Sequence, residues 1–186
     1  MELADQRFYI LNRANLKSKN VIVVTGPECA GKTMLSKELS RNLDCPWVPE
    51  YSVEYLDSLS RKYELKDLVE IAVEQRKRIF DAAEESKMVI ADTACLVLKV
   101  WAEVRFQEVP AAIEDWWKET EGYTYLLCTP DLPWEPGQYR ENPNNRDELF
   151  EKYRQHLWEG DRKFAVINGR NRVPQALDFL EASGLI

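Results

Sequence analysis

The chain has 186 residues, of which 45% are hydrophobic and 31% charged. This composition suits one globular domain and excludes a disordered chain. The net charge of −7 excludes a general nucleic-acid binder, which needs a basic face for the phosphate backbone. The four cysteines have neither zinc-site nor redox-pair spacing, so we expect buried thiols in a reducing compartment. We find no apolar segment long enough for a signal peptide or a bilayer span, so we expect a cytoplasmic protein without membrane contact.

We expect an N-terminal extension over residues 1–20 and a single domain over residues 21–186. Along this domain, short apolar strands alternate with amphipathic helices. The predicted strands cover residues 21–25, 46–48, 88–91, 123–129 and 164–167, and the predicted helices cover residues 32–43, 65–86, 95–104, 146–160 and 174–182. This alternation predicts an α/β fold with a five-stranded parallel sheet and helices on both faces.

Ligands of open parallel sheets bind beyond the carboxyl ends of the strands. The polar residues that end the predicted strands are therefore the candidates for function. They are residues 26–33, Glu50, Asp92, Asp131, and Asn168 with Gly169.

Residues 26–33 read GPECAGKT, a full match to the phosphate-loop pattern GxxxxGK[ST]. The match follows a predicted strand and begins a predicted helix, so backbone N–H groups and the helix N-terminus can surround phosphates. Lys32 can reach the β- and γ-phosphates, and the Thr33 hydroxyl can bind Mg²⁺. We therefore expect ATP and Mg²⁺ as cofactors. The expected nucleotide contacts are Gly26, Glu28, Cys29, Ala30, Gly31, Lys32, Thr33 and Met34.

Asp92 follows the apolar strand at residues 88–91, the position from which an acidic residue of a phosphate-loop protein holds magnesium. The alternative is that Asp92 or Thr93 caps the following helix. We favour the metal role, and one residue can serve both.

Glu50 comes just after the second strand. Its carboxylate could bind an acceptor hydroxyl or a sugar diol, or it could simply be an acid in the first turn of a helix. The sequence leaves both interpretations open. On the long helix, Gln75 could hydrogen-bond an amide or a base edge, whereas Lys77 and Arg78 are typical of a solvated basic face.

Residues 131–146 follow the fourth strand and contain Arg140 and Arg146. Arginines that close over a transferring phosphoryl group are common in phosphoryl-transfer enzymes, so this segment is a candidate lid. The alternative is an ordinary polar loop. His156, the only histidine, has no neighbour that suggests catalysis, and we assign it no role.

Together these motifs resemble the ribosylnicotinamide kinase domain of the bifunctional NAD-biosynthesis regulator and related small phosphate-loop ATPases. The resemblance covers roughly residues 20–183 and includes the phosphate loop, Glu50-Tyr51, Gln75-Arg76, Asp92-Thr93 and the segment from Asp131 to Trp134. It implies a phosphate-loop fold built like a nucleoside or nucleotide kinase, and ATP-dependent phosphorylation of nicotinamide riboside. Glu50, Tyr51, Gln75 and Trp134 would then bind the acceptor, Asp92 would lie near magnesium and the reacting hydroxyl, and Arg140 would act from the lid.

The sequence departs from this pattern on the acceptor side. Val53 stands where the family commonly has an arginine, Ala94 stands where it often has an acid, and residues 135–138 read EPGQ where acids commonly precede a glycine. These departures leave two functions open. One is a small-molecule kinase in which Lys32, Asp92, Arg140 and Glu50 carry the chemistry. The other is an ATP-hydrolysing module that acts through a protein partner. The choice of catalytic base, Asp92 or Glu50, and the oligomeric state also stay open.

Overall fold

A computed structural model describes residues 20–186, and its centre is a five-stranded sheet with every strand parallel. The strands are β1 (Asn20–Thr25), β2 (Trp47–Val48), β3 (Met88–Asp92), β4 (Thr124–Cys128) and β5 (Lys163–Ile167). Their spatial order is β2-β3-β1-β4-β5, so that β1 pairs with β3 on one side and with β4 on the other. This confirms the predicted fold class. The predicted extension at residues 1–20 lies outside the described residues, except for Asn20, which begins β1.

Two helices are absent from the helices predicted above, although a helix at Glu50 was one of the two interpretations of that residue. The segment after Glu50 forms the short helix α2 (Tyr51–Ser58), and the aromatic pair Trp116-Trp117 lies on α5 (Ala111–Glu119), where it is buried together with Ile113. The spacing of these three residues, three and four positions apart, is helical and could have indicated α5. The helices are α1 (Lys32–Leu43), α2 (Tyr51–Ser58), α3 (Leu65–Glu85), α4 (Cys95–Phe106), α5 (Ala111–Glu119), α6 (Arg146–Glu159) and α7 (Arg172–Ala182), with a 3-10 turn at Thr120–Gly122. None of these helices has the length and apolarity that a membrane crossing requires.

Side chains of β1 alternate between two hydrophobic clusters, one on each face of the sheet. Val21 and Val23 contribute to the larger cluster, which includes buried residues of α2 to α6. Ile22 and Val24 contribute to the smaller one, formed with α1 and α7. Because both faces of the strand are covered, it reads as a continuous apolar run rather than an alternating one.

The position of β1 between β3 and β4 brings the candidate site together. The pairing of Val24 with Asp92 sets the last residue of β3 beside the end of β1, where the phosphate loop begins. On the other side Thr25 pairs with Leu127 of β4. The loop therefore leaves the sheet from its middle strand, with polar residues of the neighbouring strand ends on either side.

We expect Gly26→Ala to lower the free energy of unfolding by at least ~2 kcal/mol, because the new methyl group overlaps backbone that cannot yield easily. Gly26 has a φ of 134°, and an added Cβ would lie 2.5 Å from the carbonyl oxygen of Cys128 in β4. Urea unfolding followed by circular dichroism measures the change. Gly122→Ala is the matched control, since no heavy atom lies within 4 Å of the position of its Cβ. Equal loss in both variants would contradict the proposed contact.

Candidate active site

The phosphate loop joins β1 to α1, and two of its residues have left-handed backbone conformations. Cys29 and Gly31 have positive φ angles of 55° and 75°. Such left-handed residues within a turn create a concave nest of N–H groups that binds anions. No acidic residue lies in the first turn of α1, so the partial positive charge of this helix end is not offset locally. The loop is thus built for phosphate.

All eight residues predicted to contact the nucleotide line one cleft of about 960 Å³. Within it, Lys32 lies across the loop, where Nζ donates a hydrogen bond to the carbonyl oxygen of Pro27 at 2.8 Å. Met34 is 72% exposed and lies at the rim of the cleft. The cleft therefore brings together the predicted phosphate-binding residues, while their contacts to a nucleotide stay predictions.

Asp92 ends β3 and is only 1% exposed. Burial raises the pKa of its carboxyl from 3.8 to about 6, and the charge of Glu50 adds to this, while the Thr33 hydroxyl and Lys32 act in the opposite direction. One carboxylate oxygen, Oδ1, is buried and has no hydrogen-bond partner among the described residues. The residue at the N-cap of α4 is Ala94, which makes no side-chain capping bond, so Asp92 does not take the capping role.

Magnesium fits these residues. A buried carboxylate oxygen without a partner carries a desolvation cost that a cation would offset, and a hydroxyl is the second oxygen that such sites use. Asp92 and Thr33 supply both. Residues 20–186 contain no group of three or more His, Cys, Asp or Glu side chains that could form a metal cage.

Glu50 is the N-cap residue of α2, but its carboxylate does not cap the helix. Instead Oε1 accepts a hydrogen bond of 2.6 Å from the Ser52 hydroxyl, and the residue lines the cleft. Its charge also acts on Asp92. Glu50 thus lies both at the start of a helix and on the cleft, so the two interpretations left open by the sequence stay open.

Tyr51 and Gln75 lie behind the cleft rather than on its wall. The buried Gln75 accepts a hydrogen bond from the backbone N–H of Tyr51 at 2.7 Å and donates one to the carbonyl of Pro49 at 3.2 Å. The ring of Tyr51 lies 4.2 Å beneath the guanidinium of Arg78. Both residues thus fix the turn that carries Glu50. We had expected them to touch the acceptor, and their amide and ring are instead committed to protein neighbours.

The wall of the cleft opposite the phosphate loop comes from α2 and α4, which the sequence analysis did not single out. Its side chains are mostly apolar, and they recur on α4 at helical spacing. That periodicity was visible in the sequence but is equally typical of a core-facing helix. The wall contains Ser52, Val53, Leu56 and Asp57 of α2, and Val97, Val100, Trp101, Val104 and Arg105 of α4.

The candidate lid, residues 131–145, lies over the phosphate loop and is held there by Glu28. The indole Nε1 of Trp134 donates to the Glu28 carboxylate at 2.7 Å, and the backbone N–H groups of Glu141 and Asn142 donate at 3.1 and 2.9 Å. Trp134 therefore contacts the phosphate loop and does not line the cleft as expected. Arg140 does line it and donates to the carbonyl of Glu135 at 2.8 Å.

Arg146, the second arginine of the lid region, does not line the cleft. It donates to the carbonyl of Leu132 at 2.9 Å and so fixes the start of the lid. The strand-end Asp131 forms an ion pair with Arg172 and accepts a hydrogen bond of 2.6 Å from the N–H of Gly169.

Arg172 is a supporting residue that the sequence analysis missed. Its largely buried guanidinium donates to the carbonyls of Ala30, Gly169 and Thr129 at 3.0, 3.1 and 3.3 Å. The phosphate loop, the end of β4 and the turn after β5 are thereby tied to one cation. The sequence feature that could have indicated this role is the position of Arg172 just after the last predicted strand.

A sequence profile described as an AAA domain matches residues 21–174, most of the chain. The chain belongs to this AAA domain family. No curated protein matches the chain in sequence. The match covers the phosphate loop, Asp92 and the lid, so the cleft described above lies entirely within the family's domain.

Solved structures with the same fold include two of the NadR protein. The complex with NR has a TM-score of 0.68 at 17% identity, covering 93% of this chain and 52% of that one. The complex with NAD and AMP-PNP has a TM-score of 0.65 at 18% identity, covering 95% and 52%. The chain therefore spans about half the length of the NadR structures. Thymidylate kinase from Ehrlichia chaffeensis has a TM-score of 0.56 at 13% identity, covering 90% and 98%. The predicted resemblance to NadR and other small kinases is thus confirmed for the fold.

We expect Asp92→Asn to raise the free energy of unfolding of the metal-free protein at pH 8. A folded-state pKa of about 6, above the unfolded 3.8, means that ionised Asp92 destabilises the fold. This cost is absent below pH 4, grows up to about pH 6 and is complete above it. A shift of this size corresponds to roughly 3 kcal/mol, of which an amide in the same place recovers about 1–3 kcal/mol. Urea unfolding in EDTA at pH 4 and pH 8 measures the difference.

Asp67→Asn provides a control of opposite sign. Arg61 hydrogen-bonds the buried Asp67 carboxylate and holds its pKa below the usual range. That stabilisation is present above pH 4 and lost on acidification, so the amide should destabilise the protein at pH 8. If Asp92→Asn also destabilised the protein at pH 8, the ionised carboxylate would already be stabilised by partners within the protein. That outcome would contradict the view that Asp92 has a free oxygen for a cation.

Proposed function

We propose that this protein is an ATP-dependent kinase that phosphorylates a hydroxyl group of a small riboside, with nicotinamide riboside as the leading candidate. The observation that carries the proposal is a complete phosphate loop that shares one cleft with Glu50, while the buried carboxylate of Asp92 lies beside the loop at the end of β3. The loop supports the donor half of the reaction, and the carboxylates support the acceptor half. The fold shared with NadR and thymidylate kinase agrees with both.

On the donor side, the N–H groups of residues 26–33 and the Lys32 ammonium would bind the β- and γ-phosphates of ATP. Thr33 and Asp92 would hold Mg²⁺, which when bound neutralises charge on the phosphate oxygens. Arg140 in the lid lies on the same cleft and would approach the γ-phosphate as the lid closes.

On the acceptor side, a carboxylate would orient the attacking hydroxyl. The hydroxyl oxygen forms a bond to the γ-phosphorus, the bond from that phosphorus to the β–γ bridging oxygen breaks, and ADP leaves. The hydroxyl proton passes to the carboxylate of Glu50 or Asp92. Most of the rate would come from positioning and from fixed charges rather than from covalent chemistry.

The chemistry of the cleft wall supports a riboside rather than a nucleotide as acceptor. The wall combines apolar side chains of α4 with the carboxylates Glu50 and Asp57, and the only wall cation among the described residues of α2 and α4 is Arg105. Arg105 lies 3.9 Å from the carboxylate of Glu141. An added phosphate would face net negative charge there, whereas a cationic pyridinium ring would be attracted.

Lys32→Ala should weaken ATP·Mg²⁺ binding by at least about 100-fold, because it removes the point charge on the phosphates. Isothermal titration with a non-hydrolysable ATP analogue measures the loss, and circular dichroism checks the fold. Lys87→Ala, an exposed lysine that does not line the cleft, is the control. If a folded Lys32→Ala protein bound ATP·Mg²⁺ as the parent does, the loop would not be the nucleotide-binding site.

Glu50→Ala should lower kcat/KM for a riboside by about 30- to 5,000-fold while ATP affinity stays within about threefold, since a lost partner of a charged hydrogen bond costs about 2–5 kcal/mol. The measurement is ADP release with nicotinamide riboside, adenosine and the corresponding monophosphates. The parent protein should use ribosides and should accept the monophosphates poorly. Glu54→Ala is the control, because Glu54 lies on the same helix but pairs with Arg78 away from the cleft.

The outcomes separate the two functions that the sequence left open. If no acceptor raises ADP release above the acceptor-free rate, the ATP-hydrolysing module that acts through a protein partner replaces the kinase. If turnover is robust but indifferent to Glu50, the kinase stands and the acceptor assignment of Glu50 is wrong. Efficient use of a monophosphate would overturn the charge argument for the wall.

A further inference from the structure

Glu28 is an acidic residue in the middle of a loop whose task is to bind an anion. A phosphate bound in the loop repels a carboxylate in the same loop, and a carboxylate that is partly withdrawn from water needs hydrogen-bond donors of its own. Glu28 is half-buried, and its partners all come from the lid. Its presence in the phosphate loop therefore needs an explanation that phosphate binding does not provide.

The lid supplies Glu28 with a complete set of donors. Oε1 accepts from the indole Nε1 of Trp134 at 2.7 Å and from the backbone N–H of Asn142 at 2.9 Å. Oε2 accepts from the backbone N–H of Glu141 at 3.1 Å and from the side-chain amide of Asn142 at 3.4 Å. Two successive backbone N–H groups with an indole N–H are the donor set of an anion site. Here the anion is a side chain of the phosphate loop.

A second contact reinforces this one from the next residue along the loop. The thiol of Cys29 lies 3.5 Å from the backbone N of Glu135 and 3.6 Å from its carbonyl oxygen. The lid is thus attached to the phosphate loop at both of its ends, near residues 134–135 and near residues 141–142. Arg140 lies between the two attachments, on the wall of the cleft.

We propose that Glu28 is a positioning residue for phosphoryl transfer: its carboxylate occupies an anion site in the lid and thereby sets Arg140 over the phosphates. This role rests on the proposed kinase function and adds to it a residue that works through the lid. Charge-assisted hydrogen bonds are the stronger kind, and the two carboxylate oxygens can accept from all four donors at once. The neutral amide of glutamine cannot, because its NH₂ group would face N–H donors.

The first test is limited trypsin digestion, which needs no acceptor and no turnover. In Glu28→Gln the cleavage after Arg140 should become about tenfold faster, because local opening of the lid exposes this site. In Glu28→Ala, which leaves room for a small carboxylate, sodium formate should slow the cleavage again relative to matched sodium chloride. Glu148→Gln is the control, since Glu148 is exposed in the first turn of α6 and does not line the cleft.

The second test is the division between kcat and KM. Glu28→Gln should lower kcat about tenfold and leave KM for ATP within about threefold, because lid position matters in the transition state more than in the ground state. Formate should restore part of the kcat of Glu28→Ala. A merely structural role would predict neither rescue nor a selective loss of kcat.

Trypsin digestion and steady-state kinetics test different parts of the proposal, so each part can fail separately. Cleavage at the parent rate in Glu28→Gln overturns the attachment of the lid, whatever the reaction. Faster cleavage with unchanged kcat, or without formate rescue, overturns the positioning role. If no acceptor supports turnover, the proposed function fails while the digestion and its formate rescue still decide the lid contact. Should Glu28→Gln not fold, Trp134→Phe combined with Asn142→Ala removes donors from the lid side and must give the same acceleration of cleavage.

Discussion

The parallel pairing of β1 with both β3 and β4 is the constraint on which the site depends. Each strand ends at the same edge of the sheet, so the pairing of Val24 with Asp92 fixes a carboxylate beside the first residues of the phosphate loop. The sharp turn at Gly26 against the carbonyl of Cys128 then fixes where the loop leaves the sheet. Hydrogen bonds from Arg172 join the loop to the ends of β4 and β5. The candidate phosphate site is thus positioned directly by the strand ends of the sheet.

This arrangement is costly for the folded state at the position where chemistry is expected. Asp92 is desolvated, one of its oxygens lacks a partner, and the following Thr93 has a φ of 70°, unusual for a β-branched residue. Two hydrophobic clusters, one on each face of the sheet, hold these residues in place. Strain and unpaired charge that a core enforces are typical of functional positions, because natural sequences depart from local consistency where binding requires it.

Local signals in the sequence were sufficient to predict the sheet, the position of the phosphate loop and the position of Asp92 at the end of a strand. The strands are short apolar runs, and the loop motif is contiguous, so neither depends on distant residues. The roles of Gln75 and Trp134 were not predictable in the same way. Both have polar groups that suit a ligand, and only the tertiary structure shows that Gln75 serves the backbone at residues 49–51 and that Trp134 serves Glu28. Arg172 and the α4 wall were missed because their partners lie far away in the chain.

The distribution of charge within the cleft gives the proposed reaction a direction. Lys32, the start of α1 and the N–H groups of the loop make one end attractive to anions, while Glu50 and Asp57 make the other end repel them. In the proposed reaction, ATP would therefore bind with its phosphates against the loop and away from Glu50 and Asp57. The proposed acceptor is accordingly neutral or cationic. Glu28 also affects this distribution of charge. Its carboxylate accepts hydrogen bonds from Trp134 and Asn142 of the lid, while Arg140 is the lid cation that lines the cleft.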